Sequence, residues 1–470
     1  MAELQIENTS MWLDVRDVLG MGKKPVKFEY RGMLHTEKED LPVMKILSID
    51  TVRDYANVIG DHIHLVFKMP LGDYAARLYP FRENLEFSIK RITLKEGGDG
   101  METNTKIVVE RYKAVFLIDE NRIISASEAE RTDTASLNLV DILDVKLQLL
   151  DRSLEPIRIK TVSGVYKNVT QKQLIQSLLG GESLKITVDG KPSVDGLDLV
   201  EPDNSETRKH VIFPDGSLIT NIPTYLQEMQ GGVYNSGIGT YLQRYNDKKI
   251  WFIYPLFNFK RFDESKDDRV IIYAVPSDKY SGSDRTYIKD GNILKIVATS
   301  EKKYQDTADV DYMNKGSGFK LTDARAFMKK PVKLTAAGPI GARKNLNTEV
   351  VIYERKDGLN HAPMLQGAAS SNPFKEYSRV NARNNARIDL IWENANFDLL
   401  YPGMPCKYVF LDNDKVIELK GTIVFVHAVT ALQGQAAIAT VYKNVCAITL
   451  LTETRKVTRK LPKTITPGVF

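Results

Sequence analysis

The chain has 470 residues, 43% hydrophobic and 27% charged, and its 65 Lys and Arg against 60 Asp and Glu leave a formal net charge of +5. That length exceeds one compact core and predicts two or three domains of ordinary globular composition. So small a charge gives no case for nucleic-acid or membrane binding, and no apolar run approaches the roughly 20 residues that a bilayer-spanning helix needs.

Cys406 and Cys446 are the only cysteines. They are too few for a disulfide framework or a thiolate metal site, and their apolar, strand-like surroundings predict buried thiols. The segment Met1–Gly20 lacks a basic stretch followed by an apolar core. It therefore does not read as a signal peptide, and folding in the cytoplasm is expected.

Alternating apolar residues and β-branched or aromatic enrichment predict strands. Lys45–Asp50 is short and apolar. In His62–Met69, Ile63, Leu65 and Phe67 share a face, as do Leu85, Phe87, Ile89 and Ile92 in Asn84–Thr93. Thr105–Asp119 is a long strand, and Gly97, Gly98, Asp99 and Gly100 read as a hairpin tip. Four strands within the first 120 residues suggest a barrel or sandwich. Leu139, Ile142, Leu143, Leu147 and Leu150 recur at near-helical spacing and predict a helix over Leu137–Leu150. Pro156 ends it, and Ile157–Tyr166 reads as strand.

The middle of the chain changes character. Thr170–Leu179 is an amphipathic helix with Thr170 as N-cap and Gly180 and Gly181 as its stop. Asn221–Gln230 is a second helix with Pro223 in its first turn. After a glycine-rich loop and Thr240–Tyr245 comes the aromatic stretch Lys249–Phe259, with Trp251, Phe252, Tyr254, Phe257 and Phe259. Arg269–Pro276 reads as its hairpin partner across the polar run Arg261–Asp268, and Asn292–Ser300 as another strand. Lys303–Pro373 is polar and glycine-rich and predicts long loops. Strands return at Ala386–Trp392, Cys406–Leu411 beyond the Pro402–Gly403 turn, Val416–Leu419, Gly421–Leu432 and Gln435–Leu451. Arg455–Phe470 reads as an extended arm. The domain division is 1–153, a first β-barrel; 154–302, a strand and α+β middle module; 303–385, a polar connection; 386–454, strands of a second barrel completed by part of 154–220; and 455–470, the arm.

The sequence offers little chemistry. His62 and His64 form an H-x-H on one side of a strand, with Asp61 and Asp73 as further ligand types, yet a wet strand face explains the pair equally well. Gly231–Gly239 lacks the lysine of a phosphate loop, and no nucleophile-elbow, zincin or kinase signature occurs. No catalytic, cofactor-binding or metal residue is assigned. Arg77, Arg82, Arg379, Arg383 and Arg387 form a basic set able to pair with Glu83, Glu86 or a neighbouring subunit. The stripe Trp251, Tyr254 and Phe257 fits a core or a subunit interface better than a base-stacking platform.

The order of elements resembles the baseplate central hub proteins of contractile-tailed bacteriophages. Three stretches carry the likeness: His62–Arg91, H-I-H-L-V-F-K-M-P-L-G-D-Y-A-A-R-L-Y-P-F-R-E-N-L-E-F-S-I-K-R; Asn221–Pro276, with T-Y-L-Q-R-Y-N-D-K-K-I-W-F-I-Y-P-L-F; and Phe397–Val429, with L-L-Y-P-G-M-P-C-K-Y-V-F and G-T-I-V-F-V. The resemblance implies a mainly β fold with two tail-tube-like barrel domains and a smaller α+β module. It implies a structural, non-enzymatic virion protein: a trimeric hub joining the six-fold tail tube to the three-fold spike. The implied partners are two further copies, the tail spike, the tube or tube-initiator and other baseplate proteins. DNA would pass through the lumen without specific binding, with no membrane insertion and no cofactor. Its place would be the virion tail baseplate, assembled in the host cytoplasm. Arg77, Tyr79, Phe81, Trp251, Tyr254, Phe257 and Phe470 are the interface candidates. The alternatives are a tail-associated cell-wall hydrolase, with His62, His64 or Asp73 in its site, and another tail component such as a tube initiator.

Overall fold

The computed structural model describes residues 9–20, 26–96, 102–117, 142–276, 285–306, 318–323, 348–354, 362–363, 385–412, 415–432 and 441–453. The first strands are β1 (Val26–His35), β2 (Asp40–Pro42), β3 (Lys45–Asp54), β4 (His62–Pro70), β5 (Leu85–Glu96), β6 (Glu102–Phe116) and β7 (Ile142–Asp151). Next come β8 (Thr161–Val169), β9 (Thr187–Val188), β10 (Lys191–Pro192), β11 (Gly196–Leu199), β12 (Arg208–Leu218), β13 (Ile238–Tyr245) and β14 (Lys248–Pro255). The remainder are β15 (Arg269–Val275), β16 (Tyr287–Asp290), β17 (Ile293–Asp306), β18 (Gly318–Asp323), β19 (Thr348–Glu354), β20 (Ala362–Pro363), β21 (Asn385–Glu393), β22 (Pro405–Asp412), β23 (Lys415–Leu432) and β24 (Tyr442–Glu453).

The large sheet closes on itself twice. One ring runs β3-β4-β7-β6-β5-β1-β24-β23 and back to β3. Among the described residues it is sealed between β1 and β24 by the single pair Phe28↔Tyr442. The other ring runs β15-β22-β23-β24-β21-β17 and back to β15 through a parallel pairing. The two barrels therefore share the β23–β24 hairpin. Each ring strand thus has a neighbour on both sides, although β6 meets β7 only over Tyr112–Phe116.

Alternation explains each lining. Ile63, Leu65, Phe67 and Met69 from β4, Leu85, Phe87 and Ile89 from β5, and Val145, Leu147 and Leu149 from β7 fill the first barrel. Val270, Ile272 and Ala274 from β15, Leu294, Ile296 and Ala298 from β17, Ile388, Leu390 and Trp392 from β21, and Cys446, Ile448 and Leu450 from β24 fill the second. Tyr442, at the start of β24, sits in the first core, so one strand serves both interiors. The opposite face of the second barrel carries Tyr273, Val275, Val297 and Val409, and the helix Thr9–Leu19 covers them with Met11, Val15 and Val18 at helical spacing.

Between the barrels in sequence lies an α+β module. Among the described residues β8 pairs only with β12, while β14 lies between antiparallel β13 and parallel β11. A third core unites Leu154, Ile157, Leu174, Ile175, Phe213, Ile222, Leu226, Trp251 and Ile253. Thr170 caps its helix through a reciprocal box with Gln173, and the helix Ile222–Met229 has Pro223 in its first turn.

Several expectations change. The helix expected over Leu137–Leu150 is strand β7 from Ile142 onward: its odd-numbered Val145, Leu147 and Leu149 point inward, and pairing to β4 and β6 overrides the leucine spacing. Gly180 and Gly181 do not stop the Thr170 helix, which widens through Ile175–Gly181 and runs to Leu184. Leu154–Ile159 is a helical turn, so the strand expected from Ile157 begins at Thr161. Arg269–Pro276 is not the hairpin partner of the aromatic strand. β15 pairs in parallel with β17 and β22 instead, after a helical turn at Arg261–Glu264 redirects the chain. Consequently β15 and β17, not part of 154–220, complete the second barrel. Strands β5 and β6 form the expected hairpin, whose tip at Gly97–Gly100 lies outside the described residues, as does the arm Arg455–Phe470. No described helix is long and apolar enough to cross a membrane.

Candidate functional site

One half of the first barrel is filled with apolar side chains; the other is polar. Arg53 on β3 points inward and is only 6% exposed. Its Nε donates to Asp61 Oδ2 at 3.0 Å and its Nη2 to Asp398 Oδ1 at 3.4 Å, and its guanidinium lies 5.0 Å above the Phe397 ring. Asp61 also accepts a hydrogen bond from the Tyr241 hydroxyl at 2.9 Å. Arg91 on β5 pairs with the other oxygen of Asp398. Burial works against the Arg53 cation, but Asp61, Tyr55 and Tyr241 outweigh it and keep the group charged.

These groups line a cavity of about 570 Å³ in the barrel mouth. Its lid is the tip of the β13–β14 hairpin, where Asn246 and Asp247 take positive φ of 49° and 65°. That is the two-residue turn which an Asn-Asp pair favours. Ion pairs rivet the lid to the barrel: Lys106 to Asp247 at 2.8 Å, Lys249 to Asp151 at 2.5 Å and Arg244 to Glu110 at 3.5 Å. The turn Phe397–Leu399 brings in Asp398 from the second barrel's side.

The residues singled out from sequence do not gather here, Asp61 excepted. His62 and His64 are exposed on the outer face of β4, whereas Asp61 faces inward to Arg53. Asp73 pairs with Arg77 at 3.1 Å. His427 holds Asp50 at 2.7 Å on the same outer face. Among the described residues no group of three or more His, Cys, Asp or Glu could hold a metal ion.

Of the expected interface set, Trp251 and Tyr254 are corrected. They are 0% and 2% exposed and lie inside the chain. The Trp251 indole donates to Ser183 Oγ at 3.1 Å, and the Tyr254 hydroxyl donates to the Tyr55 carbonyl at 2.8 Å. β14 is buried on both faces: Trp251 and Ile253 enter the module core, while Phe252 and Tyr254 enter that of the second barrel. Phe257 is half-buried against Gly237. Arg77 is tied to Glu39 at 2.8 Å, Tyr79 is 48% exposed beneath the Arg82 guanidinium, and Phe81 packs on the first core. Phe470 lies outside the described residues, as do Arg379 and Arg383. Arg387 pairs with Asp389 on its own strand, while Glu86 binds Arg111 and Arg152. Both cysteines are free and buried, and burial pushes the Cys446 thiol up to about 12.

The chain shows a distant similarity to solved tail and secretion proteins. The 43 kDa tail protein of prophage MuSo2 from Shewanella oneidensis is 10% identical, with 91% of this chain and 96% of that one covered at a TM-score of 0.43. The Francisella PdpA–VgrG complex, half-lidded, matches at 10% identity over 94% of this chain and 60% of that one, with a TM-score of 0.38. The E. coli c3393 protein, a type VI secretion component described as structurally similar to the T4 tail proteins gp27 and gp5, is 11% identical. It covers 90% of this chain and 77% of that one, at a TM-score of 0.35. No protein-family profile and no curated protein matches the sequence.

Sequence reading missed the inward charges Arg53, Arg91 and Asp398. The signal was present in part: Arg53 lies in register with the apolar inward positions of its strand, and Asn246-Asp247 between two apolar runs marks the hairpin lid.

Proposed function

We propose that the protein is a structural, non-enzymatic component of a contractile tail, and within it the central hub of the baseplate. The observation that carries this reading is the pair of closed sheets in one chain, fused through a shared hairpin. Three copies would set six barrels in a ring, a geometry able to meet a six-fold tube on one side and a three-fold spike on the other. The fusion supports the role mechanically. Because β23 and β24 run through both barrels, the two cannot turn independently, and load on one passes to the other through backbone hydrogen bonds. The order of elements in the three quoted sequence stretches points to the same family. In this reading Arg77, Tyr79, Phe81, Phe257 and the C-terminal Phe470 remain the contacts to neighbours, and DNA passes the lumen without being held.

Light scattering on the purified chain tests the assembly. A species of three times the 53.1 kDa chain mass is expected, alone or on adding spike or tube proteins. A monomer at micromolar concentration that assembles with none of them refutes it.

A further inference from the structure

The outer face of the first barrel carries a constellation that the hub reading does not use. β1 lies between β2 and β5, and the register sets His35 directly opposite Asp40 on one side and diagonal to Ser88 on the other. Phe87 and Ile89 fill the barrel, so Ser88 between them points outward, on the face that His35 shares. Diagonal neighbours of this kind lie within reach of a long side chain. His35 Nδ1 stands 2.6 Å from Asp40 Oδ1, and its Nε2 stands 2.7 Å from Ser88 Oγ. A carboxylate can only accept, so in the neutral ring the proton sits on Nδ1 and Nε2 accepts from the Ser88 hydroxyl. That is the tautomer a general base needs. The His35 side chain is 15% exposed, so solvent competes little for it, while Ser88 is half-buried and open to approach from outside.

A serine hydroxyl is a weak nucleophile until a base in contact with it takes its proton and a third group orients that base. All three parts are present. We propose that Ser88 is an activated nucleophile and a site of covalent acylation by activated esters, with His35 as general base and Asp40 as the residue that positions it. Ser88 Oγ attacks the ester carbonyl carbon as its proton passes to His35 Nε2. The bond to the alcohol oxygen then breaks, that oxygen takes the proton from His35, and the acyl group remains on Ser88 as a new ester; nothing is oxidised or reduced. Arg111, opposite Ser88 on β6, adds a cation to the same face, with its Nε held by Glu86, which Arg152 also balances. Ser88 itself is paired on both sides in the sheet, so its N–H is not free to build an oxyanion hole. An activated ester offsets that lack with its good leaving group, whereas hydrolysis of the resulting serine ester has none. The acyl group is therefore retained, which keeps the chain non-enzymatic. The site lies within one chain and does not depend on the hub reading.

The test adds p-nitrophenyl acetate to the purified full chain at neutral pH. A burst of about one equivalent of nitrophenolate per chain is expected, with one acetyl group on the peptide that holds Ser88 by mass spectrometry. Ser88→Ala should abolish the burst, and His35→Gln should slow it about a hundredfold, the low end of what a positioned general base contributes. Should either variant fail to fold, nitrogen-15 magnetic resonance of the wild-type His35 ring serves instead: a proton on Nδ1 and a bare Nε2 are expected. No burst, acetylation of lysines alone, an unchanged rate in His35→Gln, nitrophenolate release that continues at the burst rate, or a neutral ring protonated on Nε2 overturns the proposal.

Discussion

The buried guanidinium of Arg53 and the exposed one of Arg77 make similar contacts with different consequences. Both form ion pairs near 3 Å with carboxylates. Removing one partner of a buried pair strands an uncompensated charge, at about 3–5 kcal/mol, whereas an exposed pair contributes about 0–1 kcal/mol. Asp61→Ala leaves Arg53 with Asp398 alone and should therefore lower unfolding free energy in urea by about 3 kcal/mol, the low end of that range, and Asp73→Ala by far less. Gly403 shows a second residue-scale constraint. It turns the chain at φ 70°, and a Cβ there would stand 2.1 Å from the Tyr254 ring. Gly403→Ala combines a left-handed backbone with a collision, so a loss of about 2–4 kcal/mol is expected from the same measurement. The P-G-M turn was legible in the sequence; the ring packed on it was not, because Tyr254 is 149 residues from Gly403 in the chain.

At the scale of elements, strand positions were readable and strand partners were not. Alternation located β4, β5 and β21 because one face of each is buried. β7 was misread because leucines at 143, 147 and 150 mimic a helical stripe. The partner of β14 was misassigned because Ile250–Pro255 is apolar without alternation, the mark of a strand covered on both sides, and such a run carries no register. The helix Thr9–Leu19 went unseen, as only its contact with the second barrel makes an apolar stripe of Met11, Val15 and Val18 informative. Val18→Asp puts a charge at a fully buried position and should release that helix. Red-shifted, more quenchable emission from Trp12 would report it, the other two tryptophans being buried elsewhere.

Acid sensitivity also belongs to elements, since Arg152 ties β7 to the turn at Asp189. Hydrogen bonding from Arg152 holds Asp189 below the usual carboxylate range. A depressed folded pKa gives stability that is complete above the unfolded value of about 4 and is lost as pH falls through the folded value. The stability difference between wild type and Arg152→Gln should thus be present at pH 7 and shrink below about pH 4. An unchanged difference at acid pH would contradict this.

For the whole molecule, the sequence indicated two closed sheets and an α+β module. It could not indicate that the sheets share β23 and β24, since that depends on pairings between strands hundreds of residues apart, such as His427 with Val52. The shared hairpin makes the chain a rigid double unit, and the proposed hub depends on that unit repeating three times around an axis. Electron microscopy of the purified protein, alone and mixed with spike and tube proteins, tests this most directly. The account predicts three-fold rings with six lobes around an open channel; isolated bilobed particles under every condition would contradict it.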